Sequence, residues 1–169
     1  LLHADKKVNI KLYVKKVFIT DNCENLIPKY LRFLSGVIDS EDISLNISRE
    51  MLQNNPVVNK IKKGITKKIL NEINNFSKKE KEKYIDFWKN FGAVIKEGLY
   101  ENNDYHDSIL SLLRFQTSES EDYISLDDYI KQMINKQKEI YYFANVEKDN
   151  IKNSPQLETF LDKKIPVIF

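Results

Sequence analysis

The sequence predicts an α/β fold in which strands come first, long helices follow and a small β-α-β unit closes the chain. Three observations carry this reading. Apolar residues alternate through Lys11–Thr20, the two-residue period of a strand. Isoleucines then recur at every fourth position from Ile61 to Ile73, followed by an aromatic row at Tyr84, Phe87, Trp88 and Phe91, both with helical spacing. Finally, short apolar runs at Ile140–Phe143 and Ile165–Phe169 flank a proline-initiated helical segment, Pro155–Leu161.

In chain order, Leu12 and Val14 and then Val17 and Ile19 alternate, while the Lys15–Lys16 pair shifts the phase by one residue. That pattern fits one strand with a bulge or a wet edge. Asp21–Asn22–Cys23 reads as a turn, Ile27–Leu31 as a short helix with Pro28 in its first turn, Arg32–Ile38 as a second strand and Asp39–Asn46 as a polar loop. Ser48 is the expected N-cap of a helix starting near Arg49, which Asn54–Asn55–Pro56 must kink or restart. Beyond it Val57, Ile61, Ile65, Ile69 and Ile73 make an apolar stripe, with Lys60, Lys62, Lys63, Lys67 and Lys68 on the other faces. Ser77 with Glu80 fits a capping box opening the next helix, which Gly98 ends. Ile109–Phe115 is a short helix; Leu126–Met133 is another, capped by Ser125, with Asp127 and Asp128 in the first turn where the helix dipole favours them. Boundaries are expected near Ser77 and near Ser118–Tyr123, dividing the chain into 1–76, 77–118 and 119–169.

Bulk properties narrow the function. At 169 residues, with 41% apolar and 31% charged side chains, nine Tyr and nine Phe, the chain can bury a core and is not of disordered composition. A net charge of +2 gives no electrostatic argument for nucleic acid. Cys23 is the one cysteine, so no internal disulfide can form, and a reducing compartment is expected. No apolar run is long enough to span a membrane and no signal peptide is visible. Leu1 is not a natural start, so the chain is expected to be a fragment of a longer protein.

Arginine is the chemical clue. Of 27 cationic residues only Arg32, Arg49 and Arg114 are arginines. A lysine-rich chain keeps arginine mainly where a planar, permanently charged, bidentate donor is wanted. With helical backbone from Arg49, Arg49 and Gln53 share a face, and Asn46 lies three residues before Arg49 and can point the same way. A cation and two amides beside free helix N–H groups suit a terminal phosphate whose charge shifts during transfer. The plainer reading is a solvated arginine or one paired with Asp39, Glu41 or Asp42. No glycine-rich phosphate loop and no Mg²⁺ carboxylate set is present, so this segment is not expected to hold a nucleotide alone.

Several stretches, in order and in spacing, resemble the middle domain of the Hsp90 family of ATP-dependent chaperones. They are Lys11-Leu-Tyr-Val-Lys-Lys-Val-Phe-Ile19, Leu26-Ile-Pro-Lys-Tyr-Leu-Arg-Phe33, Gly36-Val-Ile-Asp-Ser-Glu-Asp42, Leu45-Asn-Ile-Ser-Arg-Glu-Met-Leu-Gln53, Leu112-Leu-Arg-Phe115, Ser125-Leu-Asp-Asp-Tyr129, Ile140-Tyr-Tyr142 and Asn153-Ser-Pro155. Glu82-Lys-Tyr84, Phe87-Trp88, Phe91-Gly92 and Lys96-Glu-Gly98 are similar to the bacterial and organellar branch. The segment before Lys11 matches poorly, and Ser44 stands where the family usually has proline.

The resemblance implies an α-β-α sandwich portion, a short helical linker bundle and a small α/β subdomain. It implies that Arg49 is the catalytic-loop arginine that reaches the γ-phosphate of ATP, with Asn46 and Gln53 as its polar neighbours. ATP and Mg²⁺ would be held by an N-terminal domain outside this segment, which would also supply the base for the attacking water. The implied partners are that domain in cis, client proteins and co-chaperones, with no nucleic acid and no membrane. The full-length protein would be a homodimeric ATPase in a bacterial cytoplasm or an organelle matrix, and the segment alone a monomer without activity. The competing reading is a protein-interaction scaffold in which Arg49 is a surface charge; a weaker one is nucleic-acid binding through the Lys60–Lys68 face.

The remaining singled-out residues read as structural. Arg32 and Arg114, each flanked by Leu and Phe, are expected to pack their stems and pair with carboxylates. Trp88, Phe87, Phe91 and Tyr84 read as core, and the lysine face as solvated because Glu72, Glu80 and Glu82 follow it. His3 and His106 are far apart in sequence, so no metal site is expected, and Cys23 reads as a structural thiol.

Overall fold

The computed structural model describes residues 9–21, 26–46, 51–52, 55–101, 104–135, 137–144 and 154–169. It shows the mixed α/β architecture that the sequence predicts. Strands β1 (Asn9–Val14), β2 (Val17–Thr20) and β3 (Ser35–Ser40) form a sheet of order β2-β1-β3, in which β2 runs antiparallel and β3 parallel to β1. Ile10, Leu12 and Val14 are buried while Asn9 and Lys11 are exposed, the alternation of a sheet with one covered face.

The single strand expected over Lys11–Thr20 is instead a hairpin. The chain reverses at Lys15 and Lys16, both at positive φ (49° and 69°), and the register shift lies between Leu12 and Tyr13. Two-residue hairpin loops match strand twist when both central residues have positive φ, which Asn-Gly adopts readily and lysine does not. The Lys15–Lys16 phase break is therefore the turn itself.

A short 3₁₀ helix, Lys29–Leu31, follows Pro28 and buries Tyr30 and Leu31. Its bonds continue through Arg32 N–H to Lys29 O and Leu34 N–H to Leu31 O. The second strand consequently starts at Ser35 rather than Arg32 and keeps Asp39 and Ser40, leaving the loop to begin at Glu41.

Helix α1 (Pro56–Lys79) restarts at the expected place. The Asn55 side chain accepts from Val57 N–H at 2.8 Å and Val58 N–H at 3.4 Å, with Pro56 in the first turn. Its buried line is Val58, Thr66, Leu70, Ile73 and Ser77, flanked by half-buried Val57, Ile61, Ile65 and Ile69. An every-four row drifts around a helix of 3.6 residues per turn, so most of the isoleucine row lies beside the deepest line. Ser77 does not cap the next helix. It is buried, and its hydroxyl donates to Asn74 O at 2.8 Å inside α1. The break falls at Glu80, and α2 runs from Lys81 to Glu97.

Tyr84, Trp88, Gly92 and Ile95 are the buried line of α2. Phe33, Phe76, Tyr84, Phe87 and Phe91 pack in edge-on, tilted and stacked pairs, so the aromatic row is core as expected. Gly98 caps α2 with φ −61°, so its role is close approach: a Cβ there would lie 2.8 Å from both Tyr30 Cγ and Ile109 Cδ1.

Helix α3 covers His106–Leu112, earlier than the expected Ile109–Phe115, because Leu113 turns extended and Phe115 pairs with Ile124. Helix α4 (Leu126–Gln132) is capped by Ser125, whose Oγ accepts from Asp128 N–H. Strands β4 (Tyr141–Tyr142) and β5 (Val167–Ile168) pair in parallel, with α5 (Pro155–Asp162) between them in sequence. Although apolar in sequence, the run at Ile140–Phe143 is only partly buried, with Tyr142 75% exposed. Tyr129 OH ties this end together, donating to Pro166 O and accepting from Tyr141 N–H and Gln137 Nε2.

Gly98→Ala should cost about 1–3 kcal/mol through overpacking. Gly64, mid-helix with nothing within 4 Å of a Cβ, should gain up to about 1 kcal/mol as alanine. Urea unfolding of the two variants checks both signs. Burial pushes the hydroxyls of Tyr30 and Tyr84 from 10.0 to about 12. A folded-state pKa above the unfolded one leaves their contribution intact below about pH 10 and removes it as pH rises toward about 12. Unfolding midpoints should therefore fall across that alkaline window, less steeply in Tyr84→Phe. Identical slopes for the parent and Tyr84→Phe would contradict the assignment of Tyr84.

Candidate functional site

The residues singled out for phosphate chemistry follow β3 in sequence. Asn46 lies within the described residues and is solvent-exposed. Arg49 and Gln53, with the expected cap Ser48, fall outside them. What is described is how the two ends of the loop are held.

At the start, Ser40 is 7% and Ile43 2% exposed, so the backbone dips into the core on either side of Glu41 and Asp42. Ser40 Oγ accepts from Asp42 N–H at 3.3 Å, and Ser44 Oγ accepts from Asn46 N–H at 3.4 Å. Both are serine turns of the kind that stabilise tight reversals. Ser44, at the position where the resembling family usually has proline, thus braces the loop through its hydroxyl. At the far end Leu52 is 2% exposed and Asn55 caps α1. Leu45 and Met51 are exposed at 46% and 61%, leaving apolar surface on both sides of the loop.

The hairpin turn reaches across to the same place. Lys15 N–H donates to Ser40 O at 3.1 Å, Lys16 N–H to Asp39 Oδ1 at 3.3 Å, and Lys16 Nζ lies 2.7 Å from Asp39 Oδ2. The hydrogen bond to Lys16 holds the Asp39 carboxyl below its ordinary range, and Asp39 raises the lysine in return. One of the three carboxylates near enough in sequence to pair with Arg49 is therefore already engaged. In the sequence, the phase break at Lys15–Lys16 is the one sign of this contact.

The other arginines divide. Arg32 pairs with Glu97 as expected, through two hydrogen bonds of 2.5 and 2.8 Å that tie the 3₁₀ helix to the end of α2. Arg114 differs from expectation. It lies 4.8 Å from the Tyr84 ring centroid and donates to the carbonyls of Ser111 and Leu113, and burial lowers its pKa. The turn out of α3 places this guanidinium on a π face and on carbonyls instead of a carboxylate.

Elsewhere, Lys63 approaches Asp104 at 3.7 Å, and Lys60, Lys67 and Lys68 are exposed. Among the described residues no group of three or more His, Cys, Asp or Glu is arranged to hold a metal. No described helix is long and apolar enough to cross a membrane. His3 and Cys23 lie outside the described residues.

Comparison with known proteins gives a consistent result. The model of a family described as Hsp90 protein matches residues 2–169. The chaperone protein HtpG of Wolbachia pipientis wMel is 48% identical over 170 residues, and that of Ehrlichia canis (strain Jake) 50% identical over 171. Each alignment takes in 99% of this chain and 27% of the relative, so the chain spans about a quarter of their length. Among solved structures, the middle domain of a Plasmodium falciparum heat shock protein superposes with a TM-score of 0.83 at 31% identity, covering 99% of this chain and 64% of that one.

Proposed function

The chain belongs to the Hsp90 family, and on that premise we propose that it is the middle segment of a bacterial-type Hsp90 chaperone whose loop arginine, Arg49, completes an ATPase site in a neighbouring domain. ATP and Mg²⁺ sit in that N-terminal domain. Arg49 donates its paired N–H groups to the γ-phosphate as water attacks phosphorus and the bond to the β,γ-bridging oxygen breaks. Asn46 and Gln53 support the arginine from either side in sequence. The observation that carries the reading is the collinear match through Leu45–Gln53, on a loop whose flanks are anchored at Ile43 and Leu52 while Leu45 and Met51 stay exposed. Buried anchors with exposed apolar shoulders suit a loop that is rigid at its base and met by another domain.

Coupling follows from this proposal. An arginine supplied from outside the nucleotide domain acts only when the domains dock, so hydrolysis reports that docking. The segment alone turns over no ATP and is monomeric; the full-length protein is a homodimer that binds client proteins and co-chaperones in a bacterial cytoplasm. The division at 1–76, 77–118 and 119–169 belongs to the same proposal.

In a full-length chaperone carrying this segment, Arg49→Ala should lower kcat by on the order of 10³-fold or less with little change in nucleotide affinity. Steady-state ATPase with parallel nucleotide titration checks this. An unchanged kcat would leave the segment a non-catalytic interaction scaffold.

A further inference from the structure

Lys15 and Lys16 occupy a turn whose backbone they are poorly suited to adopt. Consecutive non-glycine residues at φ 49° and 69° carry a strain that Asn-Gly would largely relieve. The backbone contacts of the turn, Lys15 N–H to Ser40 O and Lys16 N–H to Asp39 Oδ1, would survive that replacement, because every residue but proline has an N–H. What only the lysine supplies is the ammonium on Asp39 Oδ2.

That contact sits where β3 hands over to the loop. Asp39, Glu41 and Asp42 place three carboxylates within four residues, directly before the segment read as phosphate-facing. Glu41 also acts electrostatically on Lys16. Unscreened, these charges would repel an incoming phosphate and compete for the loop arginine.

Resting on the proposed role of Arg49 above, we propose that Lys16 is a positioning residue for the loop that leaves β3 at Ser40: it fixes Asp39 and offsets the local negative charge, at the expense of a strained turn. Its effect on turnover is exerted through the loop, without contact to nucleotide. Strain retained at a site where a relaxed residue would fit the backbone points to a use for the side chain.

The test separates stability from activity. In a full-length chaperone carrying this segment, Lys16→Gly should lower kcat by about tenfold or more, leave nucleotide affinity unchanged and hold or raise the thermal midpoint. Lys16→Arg should keep kcat near the parent's, and Asp39→Asn should lower it without raising the midpoint. A Lys16→Gly protein whose midpoint falls together with its kcat would reduce Lys16 to a structural role and overturn the proposal. Unchanged kcat in both Lys16→Gly and Asp39→Asn, beside a slowed Arg49→Ala, would overturn it alone. If Arg49→Ala itself turns over at the parent's rate, the arginine reading fails and this one falls with it.

Discussion

The close approach between the end of α2 and Tyr30 of the 3₁₀ helix is the constraint on which the rest of this structure depends. At Gly98 the backbone comes so near Tyr30 and Ile109 that a Cβ would meet both at 2.8 Å. One residue earlier Glu97 grips Arg32 with two hydrogen bonds. The apolar contact and the charged one act at the same joint, between the polypeptide leading into the sheet and the long helices. Because the ion pair is half-exposed, most of the stabilisation comes from the packing, with the ion pair fixing orientation. A single core can then run from Ile10, Leu12 and Val14 of the sheet to Tyr84, Trp88 and Ile95 of α2.

That shared core explains how a loop on a small sheet can be held well enough to matter. A three-stranded sheet with one wet face is a modest platform. Here β1, its central strand, is fully buried at Leu12 and Val14, and β3 ends in a triple contact with the hairpin turn. The loop beyond Ser40 departs from a point fixed by backbone bonds, an ion pair and the buried Ile43, and the chain returns to the core at Leu52. On the proposed reading, anchors of this kind hold the base of the loop in place for a partner domain, as electrostatic catalysis by an arginine from outside the nucleotide site would require. The second small cluster, around Leu157 and Val167, is joined to the first by the extended stretch from Leu113 to Thr117, where Phe115 pairs with Ile124 and Thr117 with Ile168.

Much of this was legible from residue order. The helix restart at Asn55–Pro56, the Ser125 cap, the aromatic core of α2 and the Arg32 carboxylate partner follow from local chemistry, and the structure has each of them. The misreadings share a cause: tertiary contacts overrode local signals. Ser77 looks like a cap because Glu80 follows at the right spacing, yet its position on the buried line of α1 keeps the helix going. Arg114 looks like an ion-pair partner, yet the turn out of α3 lays it on Tyr84. The Lys15–Lys16 turn was hidden because lysine is a poor turn residue, and the Lys16–Asp39 contact that accompanies it joins residues 23 apart in sequence. Of the site residues, Asn46 could be placed on the exposed loop, while the roles of Arg49 and Gln53 rest on sequence likeness.

The central claim is that Arg49 meets a phosphate bound by another domain. The most direct measurement is the distance from its guanidinium to the terminal phosphate in a full-length chaperone closed on a non-hydrolysable ATP analogue. Hydrogen-bonding contact is expected, about 2.7–2.9 Å from nitrogen to phosphate oxygen. A closed state in which Arg49 instead pairs with Glu41 or Asp42, out of reach of the nucleotide, would contradict it.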